Sequence, residues 1–391
     1  MAILLDERKG ISSGLLYVLA AIAGITVANL YYNQPLLDMI RVDLEASEME
    51  ANHIALFTQL GYALGLLFII PLADLYSRKR IVLVNFSVLT LSLLGIAMAG
   101  KVYWLQFFSL LTGICSVIPQ IFVPFAAQYS RPEEKGKNVG MVVSGLLTGI
   151  LLSRVVSGYV GDWLGWREMY YIASGLMVLS AIVILSVLPD TAVNYGGTYV
   201  SLMRSLMTII RDYPALRIYA TRAALAFGSF MGFWTNLAFK MAQEPFNAGS
   251  DVVGALGLCG VVGALSASFV GRYVKRFGVR RFNYLGVALQ ILAWSLFWFG
   301  GESYAGLIAG ILIIDIGMQC VQLSNQTVMF DLCPTASNRI NTIFMTSYFL
   351  GGALGTFLSG TAWSRWGWTG VVVVGLSLAL GSGLITVCTR R

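Results

Sequence analysis

Histidine occurs once in these 391 residues, proline nine times and cysteine five, and Asp, Glu, Lys and Arg together make up 12%. One histidine, with no clustered acids, bases or metal ligands near an interface, leaves little for an enzyme to work with. No G-x-x-x-x-G-K-[ST] loop is present, which disfavours a pump driven by its own nucleotide site. Cys115, Cys259, Cys320, Cys333 and Cys388 lie in or beside apolar runs. They form neither a disulfide framework nor a metal-ligand spacing.

What fills the chain instead is apolar. Hydrophobic residues make up 57% and the mean hydropathy is +0.75, far from a soluble globular mixture. Apolar runs fall at 14–34, 53–73, 81–100, 104–127, 139–160 and 169–188, then at 217–238, 252–271, 282–300, 305–328, 341–362 and 369–388. Most reach about 20 residues, enough to cross roughly 30 Å of hydrocarbon. The first run follows Arg8 and Lys9 but is too long for a signal peptide. It lacks a clear small-residue cleavage site and ends in Tyr31-Tyr32-Asn33-Gln34-Pro35, so it is expected to be retained. The expected fold is all-α, with 12 transmembrane helices in two bundles: 1–188, a connecting segment 189–216 and 217–391.

The sequence repeats itself. Shifted by about 200 residues, Pro71–Arg80 falls on Gly271, Arg272, Lys275, Arg276, Gly278, Arg280 and Arg281. Pro132 and Lys137 fall on Pro334 and Arg339, Ser157–Gly158 on Ser359–Gly360, and Gly165–Trp166 on Gly367–Trp368. Two homologous six-helix halves imply an alternating-access architecture with its site between them. Basic residues set the orientation. With both termini in the cytoplasm, all Lys and Arg fall inside except Arg41, Lys101, Arg167, Lys240 and Arg365 outside, and Arg154 within a helix. The net charge of +7 then belongs against anionic inner-leaflet lipid and needs no nucleic acid. The first outer loop (Asp38, Asp43, Glu45, Glu48, Glu50) is acidic, and Trp163, Trp166, Trp363, Trp366 and Trp368 mark an outer aromatic belt.

Gly61-Tyr62-Ala63-Leu64-Gly65, followed by Pro71-Leu72-Ala73-Asp74-Leu75-Tyr76-Ser77-Arg78-Lys79-Arg80, resembles the loop between helices 2 and 3 of the major facilitator superfamily, roughly G-x-L-A-D-R-x-G-R-R. The second copy, from Gly271 through Arg276 to Gly278 and Arg280, keeps both glycines and has Lys275 at the acidic position. The resemblance covers the whole chain and is greatest to 12-helix bacterial efflux members. It implies that Gly65, Asp74, Arg78, Lys79, Arg80, Gly271, Arg276 and Gly278 belong to the gating loops, with Asp74 holding the inner face shut. Two features depart from efflux members. Run 104–127 has no arginine, and the helix-5 antiporter signature is reduced to Gly145-Leu146-Leu147-Thr148-Gly149, with Ile150 at the proline position and Ser153-Arg154 at the glycine pair. Proton antiport does not follow from those motifs.

Charges inside the membrane are the strongest pointers to function, because each costs on the order of 2.5–3.5 kcal/mol unless paired, protonated or facing a cavity. Asp315 lies midway along 305–328, and Gln319, Gln322 and Gln326 follow at +4, +7 and +11 on one helical face. Arg154 requires an anionic solute group, Asp315, carbonyl oxygens or a route out along its stem. Asn29 and Asn33 lie four apart beside Tyr31 and Tyr32, and Pro119 and Pro124 interrupt a helix next to Gln120; each set also fits ordinary packing. His53 reads as an interfacial residue. Gly145, Gly149, Ser153 and Ser157, with Gly351 and Gly355 in the second half, form stripes of small residues. Such stripes serve static helix packing or a seam on which the halves slide.

These readings converge on a secondary transporter for a small organic solute, embedded in membrane lipid as a monomer in a bacterial inner membrane. Proton-coupled efflux is the favoured mode, with no cofactor beyond the proton gradient. Uptake of an organic anion held by Arg154 and a non-transporting receptor or scaffold are the alternatives.

Overall fold

The computed structural model describes residues 10–190, 197–332 and 336–389. Arg8, Lys9, Cys333, Pro334, Arg390, Arg391 and residues 191–196 of the connecting segment lie outside them. All regular structure among the described residues is helical.

The first crossing is two helices in line, α1 (Ser13–Ala28) and α2 (Asn33–Asp43). It runs to Asp43 rather than ending near 34. Pro35 falls in the first turn of α2, where a missing N–H leaves no intrahelical bond broken, so the helix restarts instead of stopping. Then come α3 (Glu48–Phe68), α4 (Arg78–Ala97), α5 (Val102–Cys115), α6 (Pro119–Gln128), α7 (Lys135–Trp163) and α8 (Trp166–Val187). Ser47 starts α3 with a capping box: its side chain accepts from Glu50 N–H while Glu50 accepts from Ser47 N–H. Helices α5 and α6 again form one crossing, interrupted just before Pro119.

The connecting segment 189–216 contains a helix, α9 (Tyr199–Asp212), that the apolar runs do not announce. Leu202, Leu206 and Ile209 repeat at +4 and +7 and bury one face, while Val200, Arg204, Met207 and Arg211 stay exposed on another. The second half contains α10 (Pro214–Ala242), α11 (Ser250–Leu256), a 3-10 segment Gly257–Gly260, α12 (Val261–Phe277), α13 (Val279–Gly300) and α14 (Tyr304–Met329). The last helical run, Ser337–Cys388, reverses at Gly367 (φ 59°, ψ −146°), a conformation that glycine adopts without a Cβ penalty. Its arms are α15 (337–366) and α16 (368–388).

Ten helical segments are long and apolar enough to cross a membrane when Ser337–Cys388 is taken as one. Its reversal and the 29-residue α10, which carries Arg217, Arg222, Asn236 and Lys240, bring the described crossings to twelve.

The small-residue stripes close each half internally. A Cβ at Gly145 would collide with the Ala20 carbonyl, and one at Gly149 with Gly24, so α7 lies backbone to backbone on α1. Gly351 and Gly355 meet Ala224 and Gly228 in the same way, laying α15 on α10. These four glycines therefore do packing within a half, and the sliding-seam reading does not apply to them.

The halves meet at the end opposite the basic loops, called here the far end. Trp363 Nε1 donates to Glu48 Oε2 at 2.7 Å, Ser250 Oγ donates to the Gly158 carbonyl at 2.9 Å, and Gln59 Nε2 donates to Thr356 Oγ1 at 2.9 Å. At the basic end the halves part. A crevice opens there, lined by Leu66, Asp74, Arg78, Gln120 and Pro124 from the first half, Asn338, Arg339 and Thr342 from the second, and Leu202 and Leu206 of α9.

Candidate functional site

Between the crevice and the closed far end lies a belt of buried side chains from α1–α2, α3, α7, α10, α14 and α15. Arg154 of α7 is 3% exposed, and its partner is not a carboxylate. Its Nε donates to Gln34 Oε1 at 2.7 Å, and the guanidinium lies 4.1 Å from the centroid of Trp234 and 5.1 Å from that of Tyr31. The break at 29–32 delivers Tyr31 and Gln34 on the first-half side, and the continuous α10 delivers Trp234 from the second. Guanidinium is weakly hydrated and planar, so two ring faces and one amide oxygen can hold it out of water. Ion pairs among the described residues are Arg41–Asp38 and Arg167–Asp43. The pairing of Arg154 with Asp315 considered from the sequence is therefore not formed, although the two remain within electrostatic range.

Asp315 is 7% exposed on α14, and its Oδ2 accepts no hydrogen bond among the described residues. It sits against the glycines of the α11–α12 crossing: a Cβ at Gly263 would come 3.0 Å from Asp315 Cβ, and one at Gly260 3.6 Å from Oδ1. Tyr348 of α15 donates from its hydroxyl to Gln322 Oε1 at 2.9 Å, on the helical face of α14 that carries Asp315. The Tyr348 ring stacks on Phe227 at 3.8 Å, and Phe349 packs on Tyr62 at 4.3 Å. Gln120 Nε2 donates to the Tyr62 hydroxyl at 3.3 Å. Gln319 is half-buried and makes no hydrogen bond among the described residues. Gln326 Nε2 donates to Asn341 Oδ1 at 3.1 Å at the edge of the crevice. The polar face of α14 thus runs from the crevice to Asp315.

Not every candidate joins this belt. Asn29 donates to the Ile25 and Thr26 carbonyls of its own helix and approaches Met177 Sδ of α8; Asn33 donates to Thr58 Oγ1 at 3.1 Å. These contacts stay within the first half and use only the amide N–H groups; Asn29 Oδ1 and Asn33 Oδ1 are buried beside the helix break and accept no hydrogen bond among the described residues. Ser153 and Ser157 donate to carbonyls of their own helix. Gly65 lets α3 press onto the Ile114 carbonyl of α5. His53 stacks beside Phe357 of the facing half, with ring centroids 6.3 Å apart, at the far end.

In the loops, Arg78 donates to Gln128 at 2.7 Å and Lys79 to the Leu185 carbonyl at 2.7 Å, both inside the first half, while Arg80 is exposed. Asp74 and Arg339 line the crevice from opposite halves and interact electrostatically without an ion pair. Gly271 faces open space, Arg276 lies over Phe277, and Gly278 takes φ +84° between α12 and α13.

Sequence reasoning missed Gln34 and Trp234, which hold Arg154, and Gly254, Gly257, Gly260 and Gly263 on the facing crossing. The three-residue spacing of those glycines was the available signal.

A sequence model described as Major Facilitator Superfamily matches residues 16–356, with a second match over 223–391. The chain belongs to that superfamily. It is 38% identical over 375 residues to the uncharacterized transporter YgaY of Escherichia coli O157:H7, covering 96% of this chain and 95% of that one. Its fold is similar to the solved structure of the nucleoside transporter NupG (TM-score 0.74, 16% identity, 95% and 98% of the two chains). It is also similar to that of a bacterial homolog to the human lysosomal transporter Spinster in an inward-facing and occupied conformation (TM-score 0.75, 14% identity, 96% and 95%). The chain is therefore a multi-pass membrane transporter for a small solute and not an enzyme.

Proposed function

We propose that this transporter exports a small organic solute across a bacterial inner membrane in exchange for protons, with Asp315 carrying the proton. The observation that carries the reading is the unpartnered Oδ2 of Asp315, buried between the halves at the end of a polar helix face that leads to the crevice. A carboxylate in that setting must be neutralised or matched by a donor when the site is shut. Arg154 does not supply that match, because its guanidinium is held by Gln34, Tyr31 and Trp234.

The basic loops lie in the cytoplasm with both termini, in keeping with the distribution of Lys and Arg. On that assignment the crevice is an inward-facing entrance and the far end is the closed outer gate. The halves 1–188 and 217–391 rock about the site as one monomer in lipid.

The test begins with a ligand, found as a compound that raises the thermal stability of the purified protein. In proteoliposomes with an imposed pH gradient, Asp315→Asn is expected to abolish uphill transport. Exchange at fixed pH should survive, because the amide keeps the shape but cannot titrate. Uphill transport by Asp315→Asn at the normal rate overturns the assignment.

A further inference from the structure

The crossing formed by α11, the 3-10 segment Gly257–Gly260 and α12 differs from its repeat partner. Helix α3 in the first half is continuous from Glu48 to Phe68. In the second half regular α winding is lost for four residues, and the two arms attach to different halves. The outer arm, Ser250–Leu256, is seated on α7 of the opposite half. Ser250 Oγ donates to the Gly158 carbonyl, and a Cβ at Gly254 would come 2.5 Å from the Arg154 carbonyl. The inner arm packs on α14 of its own half, where Gly263 touches Asp315. The segment between them is wedged between Arg154 and Asp315: a Cβ at Gly257 would come 2.8 Å from Arg154 Cβ, and Gly260 faces both Leu151 and Asp315.

We infer that Gly257–Gly260 is a hinge, and that the far end opens when this segment rewinds and turns the outer arm off α7. A mid-helix 3-10 stretch often marks a strained or hinged place. Rewinding four residues from 3-10 to α geometry shortens the segment by about 2 Å and turns what lies beyond it by about 80°. That displacement breaks the Ser250–Gly158 bond and withdraws Gly254 from the Arg154 carbonyl. Opening at this edge then adds a local rewinding of one helix to the rocking of the two halves. Glycine at 257 and 260 is what allows the tight winding to pass between two crowded neighbours.

The test reads how often this edge opens. Ser250→Cys, at a buried position whose hydroxyl meets the Gly158 carbonyl across the seam, is placed in a chain whose native cysteines are replaced. Its rate of reaction with a maleimide is measured in detergent. Alanine favours regular α winding over glycine by up to ~1 kcal/mol, so Gly260→Ala should raise the labelling rate about five-fold. A Cβ there also meets Leu151 Cδ2 at 2.9 Å, so crowding alone could open the seam. Leu151→Ala removes that neighbour. The five-fold gain of Leu151→Ala/Gly260→Ala over Leu151→Ala alone isolates the hinge, and it is also the readout if Gly260→Ala alone folds poorly. Leu258→Ala, at a half-exposed position on the same segment, should leave the rate unchanged. No gain in the double variant over Leu151→Ala, or an equal gain from Leu258→Ala, overturns the hinge.

Discussion

Arg154 shows how a cation can sit inside an apolar chain without a counter-charge. Its guanidinium is stacked between rings from the two halves and bonded to one amide oxygen. Arg154→Lys keeps the charge but loses the plane that the rings grip. A cation–π contact of this desolvated kind is worth ~1–2 kcal/mol, so apparent thermal stability should fall by that order. If the ring contact is the cause, Trp234→Leu should cost markedly less in Arg154→Lys than in the parent; fully additive losses would show that the cage contributes nothing. Arg154 and Asp315 were both legible in the sequence, because a charge within a long apolar run stands out against its background. Their surroundings were not. Gln34 was read as part of the end of the first run, and Trp234 is one aromatic among many in a buried helix. Only the meeting of α2, α7 and α10 makes either of them a partner.

Among the helices, glycine spacing announced close approach but not what approaches. The stripe on α7 was legible as one small-residue face. Gly145 and Gly149 turn out to meet α1, whereas Gly158, two to three turns further on, meets the outer arm of the opposite half, and Gly161 meets both Leu36 of α2 and Ser250 of that arm. Gly149→Val should destabilise the protein by about 1–3 kcal/mol, since backbone on both sides leaves a new side chain nowhere to go. Gly136→Val, with nothing near its Cβ position, should melt with the parent apart from a small loss of helix propensity. Thermal unfolding monitored by size-exclusion fluorescence compares the two, and equal losses would contradict the packing account. The extension of the first crossing to Asp43 was missed because Pro35 reads as a stop until its place in a first turn is known. Helix α9 was hidden by shortness and by a basic, mixed composition, although Leu202, Leu206 and Ile209 already had helical spacing.

For the whole molecule, the two-fold repeat and twelve apolar runs were enough to anticipate the architecture, because a bilayer admits few ways to satisfy a backbone. Which face of the bilayer each end meets is a prediction. A cysteine replacing Gly100 should react with an impermeant thiol reagent on intact cells, and one replacing Arg204 only after permeabilisation; the reverse pattern would invert the topology assigned here. The gate is a second prediction at this scale. Asp74 and Arg339 face each other across the crevice, so Asp74→Asn should weaken whatever closes it and increase labelling of a cysteine placed at Thr342. A shift in balance worth a few tenths to 1 kcal/mol corresponds to a rate change of about two- to five-fold. Unchanged labelling with normal expression would leave Asp74 as a topology anchor.

The two lateral contacts between the halves are unequal. Helix α3 follows α15 from Asn52, which meets Gly360, through Gln59 to Tyr62, which meets Phe349, whereas α7 touches the crossing of the opposite half through 151–161 against the short outer arm and the 3-10 segment. The molecule is thus hung like a door, with a long jamb on one side and a catch on the other. The two edges are separated by about two helix diameters, roughly 20 Å, so a swing of about 10° about the jamb displaces the catch by about 3.5 Å. A movement too small to disturb the aromatic stack at Tyr62 and Phe349 is then large enough to free the catch.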